Sequence, residues 1–147
     1  VTSLLAPPGY TLTKCVRASR LSEVHIAWDG DEREVVLKAY LRSSGGEAPE
    51  ERARRELDAL RAAAGAGVPT ALELVLDPGP PLLVLEKCSG ATLGEWVAER
   101  GPLDPERFLD LALQLSEVLS RVHGARLIHG CIHPSSVLHD GVTRRTH

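Results

Sequence analysis

The sequence predicts an α+β fold: a five-stranded antiparallel sheet with one helix, followed by a mainly helical region. Short alternating or apolar runs, punctuated by Gly, Pro and Asp, fill the first 86 residues. One Glu/Arg/Ala-rich stretch of helical character interrupts them. After Gly90 the apolar spacing changes from about two residues to about 3.6.

Tyr10 to Arg17 reads as the first strand, entered after the Pro7-Pro8-Gly9 breaker. In Glu23 to Trp28 the apolar residues Val24, Ile26 and Trp28 share one face, which predicts the second. Asp29-Gly30-Asp31 signals a turn, and Glu34 to Leu41 completes a meander. Ser43-Ser44-Gly45-Gly46 is a loop. Pro49 to Ala64 is a helix with an apolar stripe of Ala53, Leu57, Leu60 and Ala64, stopped by Gly65 and Gly67. Leu72 to Leu76 and Leu82 to Leu85, separated by Asp77-Pro78-Gly79-Pro80, read as a hairpin. The order is βββαββ.

Leu93 to Arg100 is a short helix. Asp104-Pro105-Glu106 combines a capping Asp, a Pro at the first helical position and an acid in the first turn. The helix it starts runs to about His123, with Phe108, Leu111, Leu115, Val118, Leu119 and Val122 as the buried stripe and Gly124 as its end. Leu127 to His139 reads as a short apolar strand and a loop.

The 147 residues suit one domain. Aromatics make up 3%, so Leu, Val and Ala must fill the core. A formal charge of −3 gives no electrostatic case for nucleic acid or an anionic membrane. No apolar run approaches the roughly 20 residues that span a bilayer, and no secretion signal is expected. Cys15, Cys88 and Cys131 are odd in number and far apart, which fits reduced cytoplasmic thiols.

Two charges stand out by position. Lys38, in Val36-Leu37-Lys38, lies on the third strand, and Glu56 borders the inward stripe of the following helix. A carboxylate there can reach a lysine on the sheet, although either residue alone reads as an ordinary surface charge. Val84-Leu85-Glu86-Lys87-Cys88 then leads through a polar link into the helical region. After the long helix comes Leu127-Ile128-His129-Gly130-Cys131-Ile132-His133-Pro134-Ser135-Ser136-Val137-Leu138.

In this order, the motifs of residues 9 to 140 resemble the protein kinase superfamily. More narrowly, they resemble the N-terminal kinase-like domain of bacterial hybrid signalling proteins that also carry an ATPase module and a sensor histidine kinase. The segment 127–138 is similar to an altered H-R-D-x-K-P-x-N-x-L catalytic loop. The resemblance implies a tail at 1–8, an N-lobe at 9–86, a hinge at 87–91, the start of a helical C-lobe at 92–140 and a tail at 141–147. It implies that ATP binds, with Lys38 on its phosphates and Glu56 holding Lys38. Leu85 would stand at the back of the cleft, and the backbones of Glu86 and Cys88 would bond adenine. Val24 and Val36 would cover adenine from above and Leu138 from below. ATPase and sensor histidine kinase modules are the implied partners.

Departures from the pattern point to impaired phosphoryl transfer. Arg17, Ser19 and Ser22 stand where a Gly-rich loop belongs, with Arg17 or Arg20 as a compensating cation. Cys131 replaces the Asp that accepts the substrate proton, and a thiol is mostly protonated at neutral pH. His133 replaces a Lys, Gly130 an Arg, and Ser136 the Asn that ligates Mg²⁺; the chain contains no Asn at all. Mg²⁺ is therefore expected to be poorly held, and no protein-ligated metal site is expected. No D-F-G or A-P-E motif follows, which predicts a second lobe cut short, with the Phe108 stripe left for a partner or further chain.

The favoured reading is a regulatory, ATP-binding pseudokinase of bacterial signalling. The alternatives are part of an active Ser/Thr kinase completed by further sequence, and an interaction domain that binds no nucleotide. Two other chemistries compete at the loop. His129, Cys131 and His133 would share one face of a strand and suit Zn²⁺, with His123 or His139 as fourth ligand. Cys131 beside His129 or His133 could also be a nucleophile, although no oxyanion-hole motif accompanies it.

Overall fold

The computed structural model describes residues 4–140 and 145–146. The chain divides into two compact units, one from Val1–Arg61 with Thr70–Lys87, the other from Ala62–Pro69 with Cys88–His147.

The first unit contains β1 (Thr11–Ala18), β2 (Ser22–Trp28), β3 (Glu34–Tyr40), α1 (Pro49–Ala62), β4 (Ala71–Val75) and β5 (Leu82–Glu86). Its five strands form one sheet in the order β1-β2-β3-β5-β4, antiparallel throughout. The turn between β2 and β3 is closed by Asp29, whose Oδ1 accepts from the backbone N–H groups of Asp31 and Arg33, each at 2.9 Å.

Both faces of this sheet are covered. On one, Tyr40, Leu83 and Leu85 pack with Ala53 and Leu57 of α1. On the other, Val35, Leu37 and Val84 pack with Ala27, while Ala39 and Leu82 meet Leu4. Burying a leucine such as Leu37 or Leu83 stabilises the fold by about 2 kcal/mol.

Coverage of both faces changes the reading of β2. The apolar face of Val24, Ile26 and Trp28 is the less buried one, and Trp28 is 42% exposed. The buried positions are Glu23, His25 and Ala27, which lie opposite Ala39, Leu37 and Val35. Period-two alternation separates the two faces but does not say which is covered. The two buried polar groups meet each other, His25 Nε2 to Glu23 Oε2 at 3.2 Å.

The stripe of α1 is also shorter than the spacing predicts. The helix ends at Ala62, so Ala64 is exposed and the buried residues beyond it are Ala63 and Ala66.

The second unit contains β6 (Ala91–Thr92), α2 (Leu93–Arg100), α3 (Pro105–Gly124), β7 (Leu138–Asp140) and β8 (Arg145–Thr146). A capping box starts α2: Thr92 Oγ1 accepts from the N–H of Glu95 at 3.2 Å, and Glu95 Oε2 accepts from that of Thr92 at 2.9 Å. Asp104 caps α3 by accepting from the N–H of Arg107 at 3.0 Å, with Pro105 first in the helix. The C-cap is Ala125, not Gly124, and Arg126 takes the left-handed conformation that ends the helix.

Ala63, Ala66 and Val122 form the core of this unit, with Val68, Val118 and Leu127 against it. Of the predicted α3 stripe, Leu111 and Val122 are buried and Leu115, Val118 and Leu119 half-buried, but Phe108 is 56% exposed. Residues 127–137 form no strand. The strand lies later, at β7, which pairs with β6 on one side and β8 on the other. Gly90 makes that sheet possible: its φ is +104°, and a Cβ there would lie 2.5 Å from the carbonyl oxygen of His139.

Of the two expected tails, residues 1–3, 141–144 and 147 lie outside the described residues. Leu4 is buried, and residues 145–146 join the second sheet.

Candidate functional site

Strand pairing brings most predicted residues of the first unit onto one sheet face. Val24 lies opposite Lys38 on β3, and Val36 lies opposite Leu85 on β5. Val36 and Leu85 take part in the core beneath α1, so α1 covers the same face. Glu86 ends β5 opposite Val35, and its N–H donates to the carbonyl of Thr70 at 2.9 Å.

Lys38 and Glu56 meet on this face. The Lys38 ammonium donates to Glu56 Oε1 at 2.8 Å and to Oε2 at 2.6 Å. Their side chains are 19% and 33% exposed, so water screens the pair only partly. The cation is thus held at a defined place on the sheet while still reachable from solvent. That arrangement suits electrostatic capture of an anionic group.

Two neighbours were not legible as site residues. Tyr40 follows Lys38 by two positions on the same face, and its ring centroid lies 5.3 Å from the Lys38 ammonium. Arg52 stands one helical turn before Glu56, and its guanidinium lies 5.8 Å from the same ring. The two spacings, two along a strand and four along a helix, were the available signal. Burial raises the pKa of the Tyr40 phenol far above its ordinary value, and the Glu56 charge adds to this. The hydroxyl is buried beside that carboxylate.

In the second unit, Leu138 opens β7 half-buried, Cys88 is partly exposed, and Cys131, His133 and Ser136 all lie on the exposed loop. Ser136 organises that loop. Its hydroxyl accepts from the N–H of His133 at 3.0 Å and lies 3.2 and 2.9 Å from the carbonyls of Cys131 and His133. A neutral hydroxyl already committed to its own turn is a poor ligand for Mg²⁺. His133 Nδ1 turns to Ser135 Oγ at 3.1 Å, and His129 Nδ1 accepts from the N–H of Cys131 at 3.4 Å.

The zinc reading fails on geometry. It needs a strand to align His129, Cys131 and His133, and residues 127–137 form none. Among the described residues no three His, Cys, Asp or Glu side chains gather as a metal site. The nucleophile reading needs an imidazole on the Cys131 thiol, but the His129 ring meets the Cys131 backbone and the His133 ring meets Ser135.

A depression of about 740 Å³ in the second unit is lined by Trp96, Arg100, Asp104, Arg107, His139 and Asp140 among others and includes none of the residues expected to bind nucleotide. Trp96 is the buried centre of that region, with the Arg100 and Arg107 guanidinium groups 5.2 and 5.7 Å from its ring.

Among the described residues no helix is long and apolar enough to cross a membrane. No protein-family model matches the chain. Over 115 residues, 78% of its length, it is 24% identical to the probable serine/threonine-protein kinase zyg-1 of Caenorhabditis briggsae. The chain spans 16% of that protein. The similarity is to part of a kinase. With it goes an α+β architecture whose five-stranded antiparallel sheet and α1 are compatible with a kinase N-lobe.

Proposed function

We propose that this chain is a kinase-like, nucleotide-binding module that acts in bacterial signalling and is impaired in phosphoryl transfer. The observation that carries the reading is the Lys38–Glu56 pair joining β3 to α1. In this reading Lys38 holds the phosphates of ATP, and Val24, Val36 and Leu85 supply apolar surface on the same sheet face. The backbone of Glu86 bonds the adenine.

ATP supplies the transferable phosphoryl group when bound. What this chain lacks is the set of side chains that would use it. Cys131 and His133 stand where a proton acceptor and a phosphate-facing cation are needed, and Ser136 is occupied by its own loop. Losing several members of one catalytic unit leaves little activity. Output therefore comes through protein contacts, with ATPase and sensor histidine kinase modules as the partner class.

The test is thermal stability with and without ATP, in the presence and absence of Mg²⁺, on wild type and Lys38→Met. A ligand at 100 times its dissociation constant stabilises by about 2.7 kcal/mol. That gain is expected in the wild type and is lost in Lys38→Met. A folded wild type that gains nothing from ATP would sink the reading. The second reading would then stand, an interaction domain without nucleotide. It draws on the exposed apolar residues of α3, where Phe108, Leu109 and Leu113 are 56%, 60% and 66% exposed.

A further inference from the structure

Two buried side-chain atoms of the first unit, Tyr40 Oη and Arg52 Nε, have no hydrogen-bond partner. Both belong to residues that flank the Lys38–Glu56 pair. Polar atoms are seldom left this way unless the rest of the side chain is held for another reason.

That reason is visible in what the two side chains touch. Tyr40 is 3% exposed and packs in the core with Ala53, Leu57, Leu83 and Leu85. Its ring is therefore a fixed wall. Two cations face it, the Lys38 ammonium at 5.3 Å and the Arg52 guanidinium at 5.8 Å. Arg52 also reaches from α1 to the ends of the strands. It donates through Nη1 to the carbonyl of Leu21 at 3.2 Å and through Nη2 to that of Leu41. Those residues are tied together by the Leu41 N–H, which donates to the Leu21 carbonyl at 2.8 Å. Positions 52 and 56 share one face of α1. The contact that pins the helix at Arg52 therefore sets where the Glu56 carboxylate falls.

We propose that Tyr40 and Arg52 form a positioning clamp that holds Glu56 against Lys38 and so sets the affinity of the Lys38 site for nucleotide phosphate. The second half of this proposal rests on the nucleotide-binding reading; the first half does not. Tyr40 acts through its ring face, which limits where Lys38 can swing. Arg52 acts through the two carbonyls, which limit how far α1 can roll or lift. Neither residue is assigned contact with the nucleotide.

The chain has three lysines, Lys14, Lys38 and Lys87, which makes labelling clean. The full chain is treated with acetic anhydride, and modification at each lysine is followed by peptide mass spectrometry. Exposed Lys14 serves as the internal reference. In the wild type Lys38 is slow, and Glu56→Gln defines the rate of the released lysine. Tyr40→Leu and Arg52→Met are expected to raise Lys38 labelling about tenfold, with Lys14 unchanged. Tyr40→Phe keeps the ring and is expected to stay within about twofold of wild type.

If Lys38 in folded Arg52→Met labels at the wild-type rate, the clamp is overturned, whether or not Tyr40→Leu folds. Affinity for ATP, measured on the same proteins, tests the second half. It should fall about tenfold in Arg52→Met, and an unchanged affinity there overturns it. A wild type that binds no ATP removes the nucleotide reading and this second half with it, and the labelling rates still decide the clamp.

Discussion

The Lys38–Glu56 pair and the 127–137 loop hold their polar groups in place by opposite means. The first sits where a strand and a helix pack face to face. The lysine and the carboxylate come from residues 18 apart in sequence, and neither could find the other without the core of Tyr40, Leu57 and Leu83. The second is local. Cys131, His133, Ser135 and Ser136 satisfy one another within a few residues, in a stretch where every side chain from Ile128 to Ser136 is exposed. A site held by long-range packing can keep a charge in a defined place after its neighbours change. A loop held only by its own turn can lose its chemistry without disturbing the fold around it. This contrast explains physically how a cation on a sheet keeps its place while the residues of an exposed loop elsewhere in the chain change.

The comparison can be broken most strongly at the core of the first unit. Leu83→Ala removes a side chain with no exposed surface beneath α1 and is expected to cost about 3 kcal/mol in urea unfolding. Release of Lys38 should accompany it. An equally stable Leu83→Ala protein would contradict the claim that packing places the pair. In the second unit, Gly90→Ala would force a Cβ to within 2.5 Å of the His139 carbonyl at a φ of +104°. Roughly 2 kcal/mol should be lost, read as a lower melting temperature, if that close approach is needed.

Ser136→Ala is expected to cost under about 1 kcal/mol, because the loop is exposed and water can replace its bonds. Hydrogen exchange should speed up at His133, whose N–H donates to the Ser136 hydroxyl, and stay unchanged in the first unit. Faster exchange in β3 would show that the loop is not local.

The smallest effect concerns pH. Burial and the Glu73 carboxylate, which accepts from the Tyr10 hydroxyl at 2.8 Å, raise the Tyr10 pKa from 10.0 to about 12. The folded state therefore holds this proton where the unfolded chain releases it. The stabilisation is complete below pH 10.0 and is lost as pH rises towards about 12. Tyr10→Phe should flatten the fall in stability over that window. In the wild type tyrosinate absorbance should lag behind that of free tyrosine, and a normal titration of both tyrosines would refute it.

Most elements were legible because their signals are local. The cap residue Asp104, the Asp29 turn and the apolar run of β5 act within a few residues of themselves. Lys38 and Glu56 were legible as candidates because each stands at a definite place in an ordered series of elements. What escaped was whatever depended on which surfaces meet. The spacing of Val24, Ile26 and Trp28 did not reveal that Glu23 and His25 lie on the buried face. Leu127 to His139 read as a short apolar strand and a loop, yet no strand forms before Leu138. Nothing in the pattern of the sequence singled out Tyr40 or Arg52.

By itself, the sequence determined the kinds of element, their order, and the presence of a lysine on the third strand with an acid on the helix after it. Those follow from period, propensity and capping, which are properties of neighbouring residues. Only the tertiary structure decided which face of β2 is buried, where α1 stops contributing to the core, and that Tyr40 and Arg52 flank the Lys38–Glu56 pair. Those depend on close packing between residues far apart in the chain, and no local rule contains it.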